Sequence, residues 1–384
     1  MEFAGIQLEF IFPKNPKKRK RNNISCFDPQ FPLQFHLPGV KRKSMLYKAS
    51  PPPDSMVGSM PLVWQKILGY IVIVLFVNSF FLLPTAAVSL AVTLYYYPNV
   101  PFYLKILNTA LLIIASVSYI LAPREWKVFR TVGQLLYELL KFHHNLSEKE
   151  IQEYVKMGEK HRLIMGMHPH GIIPIHALLW ASYCNQYLPE LYGFGAVADV
   201  VTYLPIIRNI LGYLTTGSAT YKILFNGITQ KNQNLFILPG GIAEIYESSV
   251  GRNHVIFNNR RGLIRLSLQT GALLIPTYMF GANDFFINYT QGEDGFISRL
   301  SRYLRVSLVL FGGYLGLPFF PFIPPKVTLV IGKPIQLKKT YAKNEVIPDE
   351  VIEALHDQYL KEIQRIYDEY KADAGYPGSE LEIS

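Results

Sequence analysis

A pair of histidines near the middle of the chain carries the strongest chemical signal in the sequence. The pair belongs to the motif His168-Pro169-His170-Gly171, which follows a short apolar run and precedes an apolar segment with helical periodicity. Imidazole is the side chain best matched to proton transfer near neutral pH. Gly171 permits a tight turn and a close approach of a substrate, and Pro169 fixes the turn while removing an N–H donor. We predict that His170, or alternatively His168, is a general base at the carboxyl end of a parallel strand.

The histidine pair is also compatible with a structural role or with metal binding. The imidazoles could be structural groups with satisfied hydrogen bonds, or they could bind a metal, because residues two apart on a strand point the same way. A metal site needs further ligands, and no carboxylate or cysteine cluster of suitable spacing is found in the sequence. The two cysteines, Cys26 and Cys184, are far apart, which excludes a disulfide framework and fits a reducing compartment. We therefore predict no metal ion, and we assign Cys184, within an apolar helix, to the core.

A second motif joins two glycines to an acid where another apolar run ends. Gly240 and Gly241 follow this run, and Glu244 falls in the predicted first turn of a helix. Exposed N–H groups at such a turn can hold an oxyanion or a phosphate. Alternatively, Glu244 is an ordinary acid that the helix dipole stabilises.

A third motif places two arginines before a helical pattern. Arg260, Arg261 and Gly262 precede this pattern, which continues to Thr270. The guanidinium groups could bind the phosphates of a cosubstrate through charge-assisted hydrogen bonds. Alternatively, the two arginines are ordinary cations of the protein surface.

The elements that must position these motifs begin with a long apolar region. Apolar residues make up 49% of the chain and charged residues only 17%, below the typical quarter. No charge occurs from Ile67 to Leu104 or from Ile106 to Ala122, and one membrane span needs roughly 20 apolar residues. Because cations flank both outer ends, we predict a transmembrane helical hairpin over residues 59–123 with both ends in the cytosol. The alternative is a buried helical pair in a soluble core.

Most of the basic character of the chain lies before this region. The net charge is +10, and residues 1–58 contain ten of the 38 lysines and arginines. This segment is rich in proline and shows no sustained period, so we predict a disordered cytosolic tail. The run from Lys17 to Arg21 resembles a nuclear import signal, but we favour a solvated basic run beside a membrane anchor. We expect no nucleic-acid partner.

Short apolar runs alternate with helical patterns from residue 124 onward. This alternation predicts an α/β domain over residues 124–376 with a mainly parallel sheet, followed by a tail over residues 377–384. Ser147, with Glu150 three residues later, fits a capping box. Predicted strands cover residues 163–167, 191–197, 235–238, 273–279 and 327–331, and predicted helices cover residues 174–187, 205–214, 220–231, 262–270 and 348–371.

One segment of this region departs from the alternating pattern. Residues 296–325 are apolar and basic, and glycines and prolines interrupt them. They are too interrupted for a regular span. We predict an interfacial segment whose aromatic side chains enter the lipid while its arginines stay among the headgroups.

Taken together, the motifs resemble the type-2 diacylglycerol acyltransferase family, which also includes monoacylglycerol and wax-alcohol acyltransferases. The matching residues occur in the family's order over residues 60–376, and the first 58 residues lie outside the resemblance. They are His168-Pro169-His170-Gly171, Gly240-Gly241 with Glu244, Arg260-Arg261-Gly262, Gly271, Pro276, Phe280-Gly281, Gly332-Lys333-Pro334-Ile335, His356, Tyr359 and Tyr367.

Three blocks of the sequence depart from the family's pattern. The Tyr-Phe-Pro signature expected upstream of the histidines is absent, and residues 136–144 stand roughly in its place. Ala282 occupies the position of an expected acid, and Arg208-Asn209-Ile210 replaces an Arg-Glu-Tyr block. These departures leave the acceptor alcohol open.

The resemblance implies a glycerolipid-acyltransferase-like fold and a membrane-bound enzyme that moves a fatty acyl group from acyl-CoA to diacylglycerol. Acyl-CoA is then a cosubstrate, and no resident cofactor is expected. The implied location is the endoplasmic reticulum membrane, as a multi-pass protein with access to lipid droplets, and self-association is left open. Alternatively, the acceptor is monoacylglycerol, a fatty alcohol or a sterol, or the chain is an inactive lipid-binding or tethering protein.

The resemblance also implies roles for the candidate residues. His170, or alternatively His168, would take the proton of the acceptor hydroxyl, without a covalent acyl-enzyme. Related glycerolipid acyltransferases often place an acid a few residues after the histidine. Isoleucines occupy those positions here, so Glu244 is the candidate that orients the imidazole. The N–H groups of Gly240 and Gly241 would support the oxyanion, and the two arginines, Arg260 and Arg261, would bind the phosphates of CoA.

Overall fold

The structure is a computed structural model of the 384-residue chain. It describes residues 45–81, 89–90, 92, 101–122, 124–290, 295–304 and 308–384. Most of the predicted N-terminal tail, the basic run at residues 17–21 and the predicted turn of the hairpin lie outside the described residues. The described chain already joins the sheet at Tyr47, before the predicted boundary at residue 59.

An eight-stranded sheet forms the centre of the structure. In spatial order its strands are β1 (Tyr47–Lys48), β2 (His143–His144), β11 (Thr328–Ile331), β8 (Leu273–Phe280), β3 (Leu163–His168), β6 (Leu235–Ile237), β4 (Phe194–Val197) and β5 (Thr216–Ser218). The strands from β8 to β5 run parallel to one another. At the other end, β11 joins β8 antiparallel, β2 joins β11 parallel, and β1 joins β2 antiparallel.

Two small sheets lie beside the large one. Strand β9 (Ile287–Asn288) pairs antiparallel with β10 (Phe311–Gly312). Strand β7 (His254–Val255) pairs parallel with β12 (Glu382–Ile383), so residues late in the sequence contact the region just beyond Glu244.

Helices surround the large sheet. They are α1 (Leu62–Ser79), α2 (Phe102–Ile120), α3 (Leu136–Leu139), α4 (Glu148–Lys160), α5 (His176–Tyr187), α6 (Ile207–Tyr213), α7 (Tyr221–Thr229), α8 (Gly241–Glu247), α9 (Gly262–Thr270), α10 (Phe296–Leu304) and α11 (Asp349–Ala374). Short 3₁₀ segments cover Lys127–Leu135, Pro189–Leu191, Asp199–Tyr203 and Tyr314–Gly316.

The two central strands explain where the site is placed. Every residue of β3 and of β8 is buried, as expected for strands covered on both faces. Their register runs from Leu163 opposite Leu273 to His168 opposite Tyr278. Strand β3 therefore ends at His168, at the carboxyl edge of the parallel strands, where open α/β sheets place ligands.

The elements predicted from long apolar runs are present with small shifts of their ends. The predicted capping box of α4 is confirmed, because the Glu150 carboxylate accepts from the Ser147 N–H at 2.8 Å and the Ser147 hydroxyl accepts from the Glu150 N–H. The predicted strand over residues 191–197 is shorter than expected, since a 3₁₀ turn carries the chain as far as Leu191. The two-residue strands were not predicted, because so short a segment shows no period.

Two of the described helices, α1 and α2, are long and apolar enough to cross a membrane by length and composition. The connection between them lies largely outside the described residues. Helix α1 packs one face on α3 and on the 3₁₀ segment before it, and Ile73, Phe76 and Val77 are buried there. Helix α2 is mostly exposed along its length.

The end of α2 is attached to the domain by polar contacts. The Arg208 guanidinium donates to the carbonyl of Ser118 at 3.0 Å, and the Asn209 amide donates to the carbonyl of Leu121 at 3.0 Å. Carbonyl groups at a helix C-terminus lack intrahelical partners, and a cation there interacts favourably with the helix dipole. Arg208, and Asn209 in place of the expected acid of the Arg-Glu-Tyr block, thus anchor this apolar helix.

Gly69 fixes how closely α1 packs on the domain, and its replacement tests that contact. A Cβ at this position would lie 2.4 Å from the Leu135 carbonyl oxygen, so Gly69→Ala forces the backbones apart. Overpacking costs about 1–3 kcal/mol, and we expect a lower Tm of the purified protein in detergent. Gly227→Ala is the matched control, because the new Cβ would meet only Gln233 at 3.5 Å. Alanine in a free helix position stabilises, so equal increases in Tm for both variants would contradict the contact.

Candidate active site

His168 and Glu244 form a completely buried pair at the end of β3. Their exposed fractions are 0% and 1%, and Nδ1 of His168 lies 2.8 Å from Oε1 of Glu244. The other ring nitrogen, Nε2, lies 3.0 Å from the hydroxyl oxygen of Tyr359. Both ring nitrogens of His168 therefore have protein partners, and neither is left to meet a substrate.

The Glu244 carboxylate collects hydrogen bonds from three parts of the chain. In addition to His168, Oε1 accepts from the backbone N–H of Ile256 at 3.1 Å. The second oxygen, Oε2, accepts from the backbone N–H of His170 at 2.7 Å. A carboxylate so deeply buried needs such donors, since an unpaired buried charge is strongly destabilising. Glu244 thus holds the backbone of the histidine motif as well as one of its rings.

Two glycines before Glu244 make this arrangement possible in different ways. A Cβ on Gly240 would lie 1.9 Å from the carboxyl carbon of Glu244, so the Glu244 side chain folds back over Gly240. Gly241 has φ +55°, a conformation that glycine adopts at little cost, and its missing Cβ faces open space. The oxyanion role of their N–H groups stays a prediction.

His170 occupies a different environment from His168, although only one residue separates them. The residue is half-buried, and Nδ1 lies 2.7 Å from the carbonyl oxygen of Gly171. A hydrogen on Nδ1 satisfies this contact, so Nε2 carries the lone pair. Within the described residues, Nε2 forms no hydrogen bond. Burial lowers the pKa of His170, and the Gly171 carbonyl and Glu244 offset this only in part. The neutral imidazole can accept a proton at Nε2.

The turn around His170 has little space for other residues. The peptide bond from His168 to Pro169 is cis, a geometry that is essentially confined to proline. Gly171 has φ +69°, and a Cβ there would lie 2.9 Å from the carbonyl oxygen of Ala282. Glycine is therefore required at position 171 for both conformation and space.

Aromatic side chains enclose the buried pair. The ring of Phe257 packs edge-on against His168 at 5.5 Å and stacks on Tyr359 at 4.4 Å between centroids. The Tyr359 hydroxyl donates to the carbonyl of Gly166 at 3.1 Å, and burial raises the pKa of Tyr359 well above its ordinary value. A Cβ on Gly166 would lie 2.3 Å from that hydroxyl, so this glycine lets Tyr359 reach the sheet.

A third histidine, His176, lies beside the motif and behaves as an apolar residue. It is completely buried, and neither ring nitrogen has a hydrogen-bond partner among the described residues. Burial, with His170 nearby, lowers the pKa of His176 to about 3. The ring is therefore neutral at physiological pH, and the structure gives it no polar contact with the site.

The structure separates the two candidate arginines. Arg261 forms a bidentate pair with Glu353, at 2.6 Å for each contact, and this pairing raises the pKa of Arg261. Arg260 is exposed and donates to the carbonyl of Gly240 at 3.2 Å. Arg260 thus lies exposed next to the Glu244 turn, whereas the guanidinium group of Arg261 already forms an ion pair with the Glu353 carboxylate. Gly262 begins helix α9 with open space around it.

Several contributors to the site were not assigned a role from the sequence. Tyr359 was noted only as a family match, and the Phe257 ring and the Ile256 amide gave no signal because neither belongs to a recognisable motif. Among the described residues, no group of three or more His, Cys, Asp or Glu is placed to hold a metal ion. What the arrangement can do is proton transfer at the half-buried imidazole of His170, beside the buried pair of His168 and Glu244.

Comparisons with known proteins identify the family. A family model described as diacylglycerol acyltransferase matches residues 102–384. Diacylglycerol O-acyltransferase 1 of Eremothecium gossypii is 28% identical over 281 residues, which are 68% of this chain and 58% of the relative. Diacylglycerol O-acyltransferase 2-like protein 6 of Mus musculus is 28% identical over 57% of this chain and 69% of the relative.

A relative whose name gives a different acceptor also matches. The 2-acylglycerol O-acyltransferase 1 of Bos taurus is 26% identical over 59% of this chain and 70% of the relative. The match with the Eremothecium protein spans less than two thirds of that protein's length. The family model, in contrast, covers most of this sequence and all three candidate motifs. This chain belongs to the diacylglycerol acyltransferase family.

Proposed function

We propose that this protein transfers a fatty acyl group from acyl-CoA to diacylglycerol and so makes triacylglycerol. The observation that carries the proposal is the arrangement of the histidine motif. One imidazole is fixed between Glu244 and Tyr359, and the next, His170, has a free Nε2 at the edge of the sheet. Membership of the family supports acyl transfer from acyl-CoA. The names of the relatives support diacylglycerol as the acceptor.

His170 is the base in this proposal. Its Nε2 takes the proton of the acceptor hydroxyl as the hydroxyl oxygen attacks the thioester carbonyl carbon. The tetrahedral intermediate then collapses, the C–S bond breaks, and the proton passes from the imidazolium to the thiolate of CoA. The products are an ester and free CoA, and His170 returns to its neutral form. Glu244 positions His170 through the backbone N–H rather than through the ring.

The finer features of the fold fit access to a lipid acceptor. In the proposed arrangement, α1 and α2 form a transmembrane hairpin before a glycerolipid-acyltransferase-like domain with a mainly parallel sheet. Helix α10 and the residues after it expose Tyr303 and Leu315, by 84% and 90%, which supports an interfacial segment. We propose the endoplasmic reticulum membrane as the location, with access to lipid droplets.

Monoacylglycerol is the second candidate acceptor, because a 2-acylglycerol acyltransferase is among the similar proteins. The deciding experiment supplies microsomes with labelled acyl-CoA and with both acceptors in competition. The host cell lacks its own triacylglycerol synthesis. Triacylglycerol formation that depends on His170 supports the proposal. Diacylglycerol formation that depends on His170 shows instead that monoacylglycerol is the acceptor. If well-expressed protein forms neither product, both candidate functions are rejected.

Replacing each histidine in turn tests the assigned roles. His170→Ala should lower kcat by about 10²–10⁴-fold, as loss of a general base does, with normal recovery in membranes. His168→Ala should lower both activity and Tm, because a buried carboxylate loses a partner at a cost of about 3–5 kcal/mol. His176→Leu is the matched control and should keep full activity, since no hydrogen bond is lost. The roles are wrong if His170→Ala retains activity or if all three variants behave alike.

The pH dependence of the reaction tests the state of His170. The pKa of His170 lies below the ordinary value of 6.5 because burial disfavours the charged form. The imidazole therefore stays mainly neutral until the pH falls to its lowered pKa. We expect the acidic limb of kcat/KM to have its midpoint below 6.5. Burial keeps His176 neutral throughout this range, so His176→Leu should leave the limb in place. A midpoint above the ordinary histidine value would show that another group limits the rate.

The two arginines should respond differently to replacement. Arg260→Ala removes an exposed cation beside the Glu244 turn, so we expect a raised KM for acyl-CoA with little change in Tm. Arg261→Ala releases Glu353 and the α11 contact, so we expect a lower Tm as its main effect. Steady-state kinetics with varied acyl-CoA and thermal unfolding separate the two. An unchanged KM in Arg260→Ala would remove Arg260 from cosubstrate binding.

A further inference from the structure

Residues 381–384 lie along the outer edge of the loop that closes the site. Strand β12 pairs with β7 in parallel, with Glu382 opposite His254 and Ile383 opposite Val255. The Glu382 N–H donates to the carbonyl of Asn253 at 2.9 Å. This pairing adds a strand to a segment that would otherwise present a free edge.

Ser384 makes the most contacts in this segment. Its N–H donates to the carbonyl of Val255 at 3.0 Å, and its carbonyl oxygen accepts from the N–H groups of Phe257 at 2.8 Å and Asn258 at 2.9 Å. Its hydroxyl lies 2.8 Å from Nε2 of His254. One residue thus fixes the backbone of the loop on both sides of Ile256.

The inner edge of the same loop contacts the buried pair of His168 and Glu244. The Ile256 N–H donates to Oε1 of Glu244 at 3.1 Å, and the Phe257 ring packs on His168 and Tyr359. Because the loop is only a few residues wide, a movement at its outer edge moves these contacts as well.

Residues 381–384 are attached by both polar and apolar contacts. Leu381 and Ile383 are partly buried and pack against the hydrophobic core, whereas Glu382 and Ser384 are exposed. The backbone hydrogen bonds of Glu382 and Ser384 add the polar contacts. The loop underneath is more deeply buried at His254, Val255 and Phe257. The segment therefore supports the loop from its outer, less buried side.

We propose that residues 381–384 are a positioning segment for acyl transfer: they hold the loop so that the Ile256 N–H and the Phe257 ring keep Glu244 and His168 aligned. This inference rests on the proposed function. The segment contacts no reacting atom, so its loss should affect kcat far more than the KM for acyl-CoA. A misplacement of about 1 Å at a reacting group can cost about 10²-fold in rate.

The test deletes residues 381–384 from the full chain in its membrane. We expect kcat to fall by roughly 10- to 100-fold, with the KM for acyl-CoA unchanged and only a modest fall in Tm, because the partly buried side chains of Leu381 and Ile383 are removed with the segment. Addition of a synthetic peptide with the sequence of residues 377–384 should restore kcat, and a scrambled peptide should not. Ser384→Ala is the matched mild variant, because it removes the hydroxyl contact with His254 and leaves the backbone bonds, so kcat should change little.

Hydrogen exchange gives a readout that does not depend on activity. The amides of Ile256, Phe257 and Asn258 should exchange faster in the deletion variant, and the peptide should protect them again. Full activity of the deletion variant overturns the inference. The inference is also overturned if kcat falls, the KM for acyl-CoA rises and Tm falls sharply together, and the peptide reverses none of these changes. The segment would then be merely structural. An inactive wild type with normal protection of these amides would instead count against the proposed function.

Discussion

The buried carboxylate of Glu244 is the constraint on which the rest of the site depends. A charge removed from water must be met by hydrogen-bond donors, or the folded state loses several kcal/mol. The donors come from the ring of His168, the backbone of His170 and the backbone of Ile256. They therefore fix three chain segments relative to one another, and the glycine at position 240 leaves the space for the side chain that joins them.

This constraint gives different environments to two histidines that look equivalent in the sequence. His168 gives both ring nitrogens to protein partners and is closed off from solvent. His170 uses one nitrogen on its own turn and keeps the other free. A rigid first imidazole holds the chain in place, and the second is thereby positioned without losing the lone pair that proton transfer requires. In the proposed mechanism, stability and reactivity thus rest on separate side chains.

The sequence predicted the parts of this arrangement that are local. The strand over residues 163–167 that leads to His168, the glycine turn before Glu244 and the capping box at Ser147 each follow from neighbouring residues. The partners could not be predicted in the same way, because Tyr359 lies far along the chain and reaches His168 only through the packing of α11 on the sheet. Likewise, no residue near Arg261 in the sequence indicated that its guanidinium group would pair with the Glu353 carboxylate.

The separation of the two imidazoles has a simple geometric origin. Residues two apart on a regular strand point to the same face, and on that basis the motif could have formed a shared metal site. The strand ends at His168, however, and its pairing with β8 stops at Tyr278. The turn through Pro169 and Gly171 breaks the alternation, so His170 no longer follows the strand's period. A continuous strand would have placed both rings on the same face, whereas the turn gives His168 two protein partners and leaves Nε2 of His170 without one among the described residues.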